Sequence, residues 1–246
     1  MTAGAAFFDV DETLITVKSM FAFQRFWLAE NGDDGSEYAR LSDEIKQRAA
    51  AGTPREEVNR HYYRAYRGAR ADALAEAGRR WFAQFGAGGG GYYAEAVETL
   101  RAHRDSGHAT VLLSGSFPAA IAPVAAALGA DQVIATTPVV DEQGVLTGEV
   151  WRPMIGHAKA AAVAEYLREH GIAREHSYGY GDHASDLPFL QAVGHPGFRG
   201  DDAVLTAHAS ADRGGSTGWI HLGDRVGDSV DDPGRLLSEQ EALSVW

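Results

Sequence analysis

The chain has 246 residues, 45% of them hydrophobic and 23% charged, an ordinary globular composition that excludes collagen-like, low-complexity and wholly disordered chains. It contains no cysteine, which excludes disulfides, zinc–thiolate and iron–sulfur sites and cysteine nucleophiles. Its net charge of −12 repels polyanions, so no nucleic-acid partner is expected, although a local pocket can still take a small anion.

The N-terminus, MTAGAAFFDVDETL, has no basic stretch and reaches its first acid at Asp9. No signal peptide is expected, and no run approaches the roughly 18 apolar residues of a membrane span. The expectation is a cytoplasmic protein without a membrane partner.

The first apolar run, Ala5 to Phe8, stops at Asp9. From about Val17 to Phe85 no strand is evident. Four amphipathic helices are predicted instead, Ser19 to Glu30, Glu37 to Ala50, Arg55 to Tyr66 and Asp72 to Phe85, punctuated by Gly and Pro. Gly88 to Gly91 reads as a flexible joint. A helical pattern follows from Tyr92 to Arg104. Thr110 to Leu113 then stops at Ser114, and a helix is predicted from Pro118 to Leu128. Gln132 to Ala135 is the next short run, and Val139 to Leu146 reads as a hairpin. A helix over His157 to His170 precedes Ser177 to Tyr180, which stops at Gly181-Asp182, and another runs from Ser185 to Ala192. Strands alternating with helices predict an α/β fold, a doubly wound parallel sheet covered on both faces. Its ligands bind beyond the carboxyl ends of the strands, where Asp9, Ser114 and Asp182 fall. The expected division is a core of residues 1–16 and 88–222, a helical cap over 17–87 that is mobile or, alternatively, packed rigidly on the sheet, and an acidic tail over 223–246.

Four short motifs carry chemistry. Asp9 and Asp11 in DVDETL lie two apart, so both carboxylates can address one small volume. One can attack while the other moves protons, and the pair also attracts a hard divalent cation. Ser114-Gly115 at a strand end can offer a hydroxyl and backbone N–H groups to a phosphate. Lys159 opens a helix, against the helix dipole, and countercharge for an aspartate and a phosphoryl group would explain it there. Asp182 and Asp186 end a strand and open a helix. Taken singly, each is a common strand-to-helix turn or cap.

In this order and spacing the four motifs resemble the haloacid dehalogenase superfamily, and within it the phosphoserine-phosphatase-like subfamily IB. Asp9 to Leu14 matches the first motif, Ser114 the second, Lys159 the third and Gly181 to Asp186 the fourth. The hairpin segment Gly144 to Glu149 is also similar, and the likeness runs roughly from Ala5 to Ala207. The resemblance implies a Rossmann-like core with an inserted helical cap, and magnesium-dependent hydrolysis of a small phosphomonoester through an aspartyl-phosphate. It implies that Asp9 attacks phosphorus and that Asp11 protonates the leaving oxygen and then activates water. Ser114 and the Gly115 amide would hold phosphoryl oxygens, and Lys159 would orient Asp9. Magnesium would sit among Asp9, the Asp11 carbonyl, Asp182 and Asp186. Competing readings are a phosphate-accepting receiver, which at about 120 residues has no cap and no use for Asp11, and a binding protein without catalysis.

Two positions depart from the phosphoserine phosphatases. Lys18 stands where they carry a glutamate facing the substrate ammonium, which makes phosphoserine a doubtful substrate. Ser185 stands where asparagine is common. Arg60, Arg64 and Arg67, at i, i+4 and i+7, are predicted to form one stripe, with Tyr63 and Tyr66 near enough to stack on a flat substrate group. Two readings stay open: Lys18 and one of these arginines face the phosphate site and select a second acidic or hydroxyl-rich end, or Lys18 points to solvent and the stripe is a solvated basic face paired with Glu56 and neighbouring acids.

Overall fold

A computed structural model of the chain describes residues 3–87, 91–212 and 218–227. The glycine joint at 88–90 and the tail from 228 lie outside the described residues.

Strand β1 (Ala5–Asp9) is followed by helices α1 (Ser19–Glu30), α2 (Ser36–Ala50), α3 (Arg55–Tyr63) and α4 (Ala71–Ala87). Then come β2 (Tyr92–Tyr93), α5 (Ala94–Asp105), β3 (Ala109–Ser114), α6 (Pro118–Leu128) and β4 (Gln132–Ala135). The hairpin strands β5 (Thr137–Val140) and β6 (Leu146–Arg152) precede α7 (His157–His170), β7 (Ser177–Gly181) and α8 (Leu187–Ala192). The described chain closes with β8 (His195–Arg199), α9 (Ala203–Ala211), β9 (Ile220–Leu222) and β10 (Val226–Gly227).

Six strands form a parallel sheet in the order β4-β3-β1-β7-β8-β9. The chain winds from β1 outward in one direction and then, after β4, returns to the other side. The crevice between the ends of β1 and β7 is therefore the topological switch point. Every residue of β1 is buried, as expected of a central parallel strand covered on both faces. Alternation sends Ala6, Phe8 and Leu112 to one face and Ala5, Phe7, Val111 and Leu113 to the other, where Val163, Phe189 and Leu205 cover them.

The four inserted helices do not have a core of their own. Phe23, Tyr63, Tyr66, Leu74 and Trp81 join Phe117, Ile121 and Leu112 in one apolar cluster. The contact is closest where α4 crosses α6: a Cβ placed on Gly78 would lie 1.8 Å from the Ala119 carbonyl oxygen.

Two boundaries differ from the sequence reading. Tyr92 and Tyr93 are extended, not helical, because they pair with Val226 and Gly227. The expected tail boundary at Gly223 falls inside a docked segment: the Gly223 amide donates to Glu95 at 2.6 Å and the Ala94 amide to the Arg225 carbonyl at 2.8 Å. No helix among the described residues is long and apolar enough to cross a membrane.

Gly78→Ala should lower the melting temperature, although alanine is the better helix former. Overpacking costs about 1–3 kcal/mol, and more when backbone must move, against about 1 kcal/mol of helix propensity gained. An unchanged or raised melting temperature would show that α4 is not seated on α6 this closely.

Candidate active site

Asp9 ends β1, Ser114 ends β3, and Asp182 follows the last residue of β7. Three neighbouring parallel strands thus deliver their polar ends to one cavity of about 230 Å³. Past Asp9 the chain folds into a tight loop in which the amides of Thr13, Leu14 and Ile15 all donate to the Val10 carbonyl. Lys159, in the first turn of α7, is buried and donates to Asp9 Oδ1 at 2.5 Å and to Asp186 Oδ1 at 2.7 Å. The Thr13 hydroxyl lies 3.0 Å from Asp182 Oδ1 and 3.3 Å from Asp9 Oδ2, tying the first motif to the fourth.

The Ser114 loop is equally constrained. Ser114 Oγ accepts from the Ser116 amide at 3.0 Å. The Ser114 carbonyl accepts from the Thr136 amide at 3.1 Å, and in a trans peptide this directs the Gly115 N–H to the opposite side. The Gly115 carbonyl accepts from Thr136 Oγ1 at 2.7 Å, Asn59 Nδ2 at 2.9 Å and the Tyr63 hydroxyl at 3.3 Å. Two of those donors come from α3, so the inserted helices clamp the loop directly.

The haloacid dehalogenase-like hydrolase family matches residues 6–191, about three quarters of the sequence. This chain belongs to that family. Over 142 residues the chain is 37% identical to a Mycobacterium tuberculosis protein named a probable phosphatase, covering 54% of this chain and 47% of that one. It is 36% identical over 119 residues to the inhibition of morphological differentiation protein of Streptomyces azureus, covering 48% and 43%. These matches span less than half of the relatives' length. Among solved structures, a Bordetella pertussis protein of unknown function superposes with a TM-score of 0.74 at 27% identity, over 89% of this chain and 99% of that one. A phosphoserine phosphatase carrying a phospho-aspartyl intermediate analogue superposes with a TM-score of 0.60 at 20% identity, over 84% and 91%, a likeness of fold.

Electrostatics dominate the cavity floor. Burial raises the Asp9 pKa well above its ordinary value; Lys159 opposes that shift, while Asp186, Asp182 and Asp11 add to it. Burial and the neighbouring Asp186 likewise raise Asp182. Burial alone would lower Lys159, but the carboxylates of Asp186 and Asp9 outweigh it and hold the ammonium above its usual range. Burial lifts Asp11 to about 6, and its Oδ1 has no hydrogen-bond partner among the described residues. Oxygen atoms of Asp9, Asp182 and Asp186 lie within 4.8 Å of one another. Three crowded, desolvated carboxylates against one ammonium, all oxygen donors, fit a hard divalent cation. The Asp11 carboxylate lies outside that group; the resemblance implies only its main-chain carbonyl.

Lys18 does reach the mouth of the cavity, half-turned to solvent, with Nζ 3.2 Å from Glu12 Oε2. The stripe of Arg60, Arg64 and Arg67 does not line it. Arg60 donates to the Val150 carbonyl, Arg67 lies 3.6 Å from Glu149, and Arg64 is exposed, so the stripe faces the β5–β6 hairpin. Nor are Tyr63 and Tyr66 free to stack on a ligand: both are buried, with ring centroids 5.2 Å from Phe117. Burial of these tyrosines sets the rotation of α3 and carries the arginines to its other side. The arginine at the mouth is instead Arg55, at the start of α3 and 3.2 Å from His183 Nδ1. Arg55, Thr13 and Asn59 were missed by the sequence reading; only Thr13, inside the first motif, had a signal there.

Lys159→Met should destabilise the folded chain by about 3–5 kcal/mol, because it leaves buried carboxylates without their cation. Urea unfolding in metal-free buffer measures this, and a loss below about 1 kcal/mol would mean that the ammonium is not the counterion of Asp9 and Asp186.

Proposed function

We propose that this hydrolase is a phosphatase for a small phosphomonoester and works through an aspartyl-phosphate on Asp9. The observation that carries the reading is the state of Asp9, with one oxygen held by a buried lysine in a cavity that also holds Ser114 and a second acid. Oδ2, which has only the long contact to Thr13, is the oxygen free to attack phosphorus in line. Asp11, with a pKa near the working range, gives its proton to the leaving oxygen as the phosphorus–oxygen bond breaks. It then takes a proton from water, which attacks the acyl phosphate and releases Asp9 and inorganic phosphate. The Ser114 hydroxyl and the Gly115 amide hold phosphoryl oxygens, and Lys159 keeps Asp9 ionised and oriented. Asp9, Asp182 and Asp186, with the Asp11 carbonyl, would hold a magnesium ion, which when bound would offset the charge of the phosphoryl group. Residues 17–87 act as the cap, touching the phosphate loop through Asn59 and Tyr63.

Phosphate release across a phosphometabolite panel with magnesium tests this. Asp9→Asn should cut turnover by roughly 10³-fold or more while the chain stays folded. Asp11→Asn should lose roughly 10²–10⁴-fold, most for poor leaving groups. Near wild-type turnover in Asp9→Asn would overturn the mechanism.

The mouth supports a substrate preference. Lys18 and Arg55 line its rim, and a cation there repels an ammonium group. The preferred substrate carries a second acidic or hydroxyl-rich end, which Arg55 can meet with charge-assisted hydrogen bonds. Lys18→Glu should therefore raise activity on phosphoserine relative to anionic phosphomonoesters, leaving a small generic ester largely unaffected. A wild type that already prefers phosphoserine strongly contradicts the charge argument.

A further inference from the structure

Glu12 sits between the paired aspartates' loop and Thr13, and its backbone is unusual. Its φ is 62°, and among the described residues it is the only non-glycine with a positive φ. A side chain in the left-handed region is disfavoured by contact between Cβ and the backbone, and it persists only where its surroundings over-determine it. Both backbone groups of Glu12 are in fact occupied. Its amide donates to the Ile15 carbonyl at 2.8 Å. Its carbonyl accepts from Arg199 Nε at 2.7 Å.

Arg199 is the last residue of β8 and does not line the cavity. Its side chain is 12% exposed, and Nη1 lies 2.6 Å from Asp224 Oδ1. The guanidinium carbon stands 3.5 Å from the centroid of the Tyr93 ring. One planar cation thus joins the first motif, the β2 segment and the segment between β9 and β10. The same three segments are knitted by their backbones: the Tyr93 amide donates to the Leu14 carbonyl, and β10 pairs with β2. The contact with the exposed Asp224 would by itself need no explanation. A mostly covered arginine side chain whose Nε is directed at the carbonyl of a strained residue, between Asp11 and Thr13, does.

We propose that Arg199 is a positioning residue for the reaction, holding the Asp11–Glu12–Thr13 turn so that the Thr13 hydroxyl meets Asp9 and Asp182 and the Asp11 side chain lines the same cavity. Asp224 and Tyr93 aim the guanidinium. Only arginine can donate in two directions in one plane while stacking on a ring; lysine offers a compact charge and can keep only one of these contacts. The consequence for catalysis rests on the phosphatase reading above; the consequence for the turn does not.

The test uses the full chain, p-nitrophenyl phosphate with saturating magnesium, thermal melting, and hydrogen exchange over residues 10–16. Arg199→Ala should lower kcat by about 10–100-fold, the scale of a catalytic group displaced by an ångström or so, with little change in KM. Exchange over residues 10–16 should rise while β3 stays protected. Arg199→Lys should recover part of the loss. In a Glu12→Gly background the Arg199→Ala loss should shrink, because glycine enters the left-handed region without penalty. An equal loss in both backgrounds, or a lower melting temperature with kcat and exchange unchanged, overturns the proposal and leaves Arg199 as a general support of the fold. If Arg199→Ala does not fold, Asp224→Asn and Arg199→Lys decide: reduced kcat with faster exchange at 10–16 supports the role, and neither change overturns it. If the wild type releases no phosphate, the phosphatase reading fails by itself, and the exchange measurements still decide whether Arg199 holds the turn.

Discussion

The site is organised around a charge that cannot stand alone. Asp9, Asp182 and Asp186 crowd together at the ends of β1 and β7, and burial and mutual repulsion push Asp9 and Asp182 toward the neutral form. Lys159 is the only ammonium that touches this group among the described residues, and it bridges Asp9 and Asp186. An isolated buried carboxylate would protonate and lose its nucleophilicity. Delivery of a lysine from the first turn of α7 therefore sets where α7 must start, and with it the course of the chain from β6 to β7. A cavity so rich in acid can receive a dianionic phosphate only if further positive charge enters with it, which is the chemical sense of a divalent cation here.

The inserted helices serve the same centre by a different route. Their aromatic residues complete the apolar cluster on one face of the sheet, so their position relative to the strands is set by packing as tight as the interior of a single domain. Asn59 and Tyr63 convert that packing into hydrogen bonds on the Gly115 carbonyl. The rim of the cavity then takes its character from two chain positions, Lys18 just before α1 and Arg55 at the start of α3. Asp9 and Asp182 on the cavity floor thus come from strand ends and the cations of its rim from helix starts.

Much of the fold was legible because the signals were local. Short apolar runs that stop at Asp9, Ser114 and Gly181-Asp182 are what buried parallel strands look like, and four amphipathic patterns without a strand among them became α1 to α4. The strands that escaped notice lack such signals. β8 reads HPGFR and β9 reads IHL, edge-side segments whose extended backbone is imposed by neighbours. β2 and β10 are two residues each and are extended because they pair with each other, β2 also with the loop after β1. The arginine stripe on α3 failed for a related reason. Spacing placed Arg60 and Arg64 on a common side of the helix, but the side that faces the sheet was decided by Tyr62, Tyr63 and Tyr66, whose burial outweighs any preference of exposed guanidiniums.

The strand-and-helix alternation, the identity of the acids and the lysine, and the place of each at a strand end or helix start are written in the order of residues, because they follow from periodicity and from the direction of side chains along a strand. Tertiary structure alone decided which groups meet. It brought Lys159 onto Asp9 across 150 positions, Thr13 onto Asp182 across 169, Arg55 to the rim in place of the arginine stripe, and Arg199 onto the carbonyl of Glu12 across 187. None of those pairings has a local signature. Each is fixed by the order of strands in the sheet and by the demand that buried polar groups find partners.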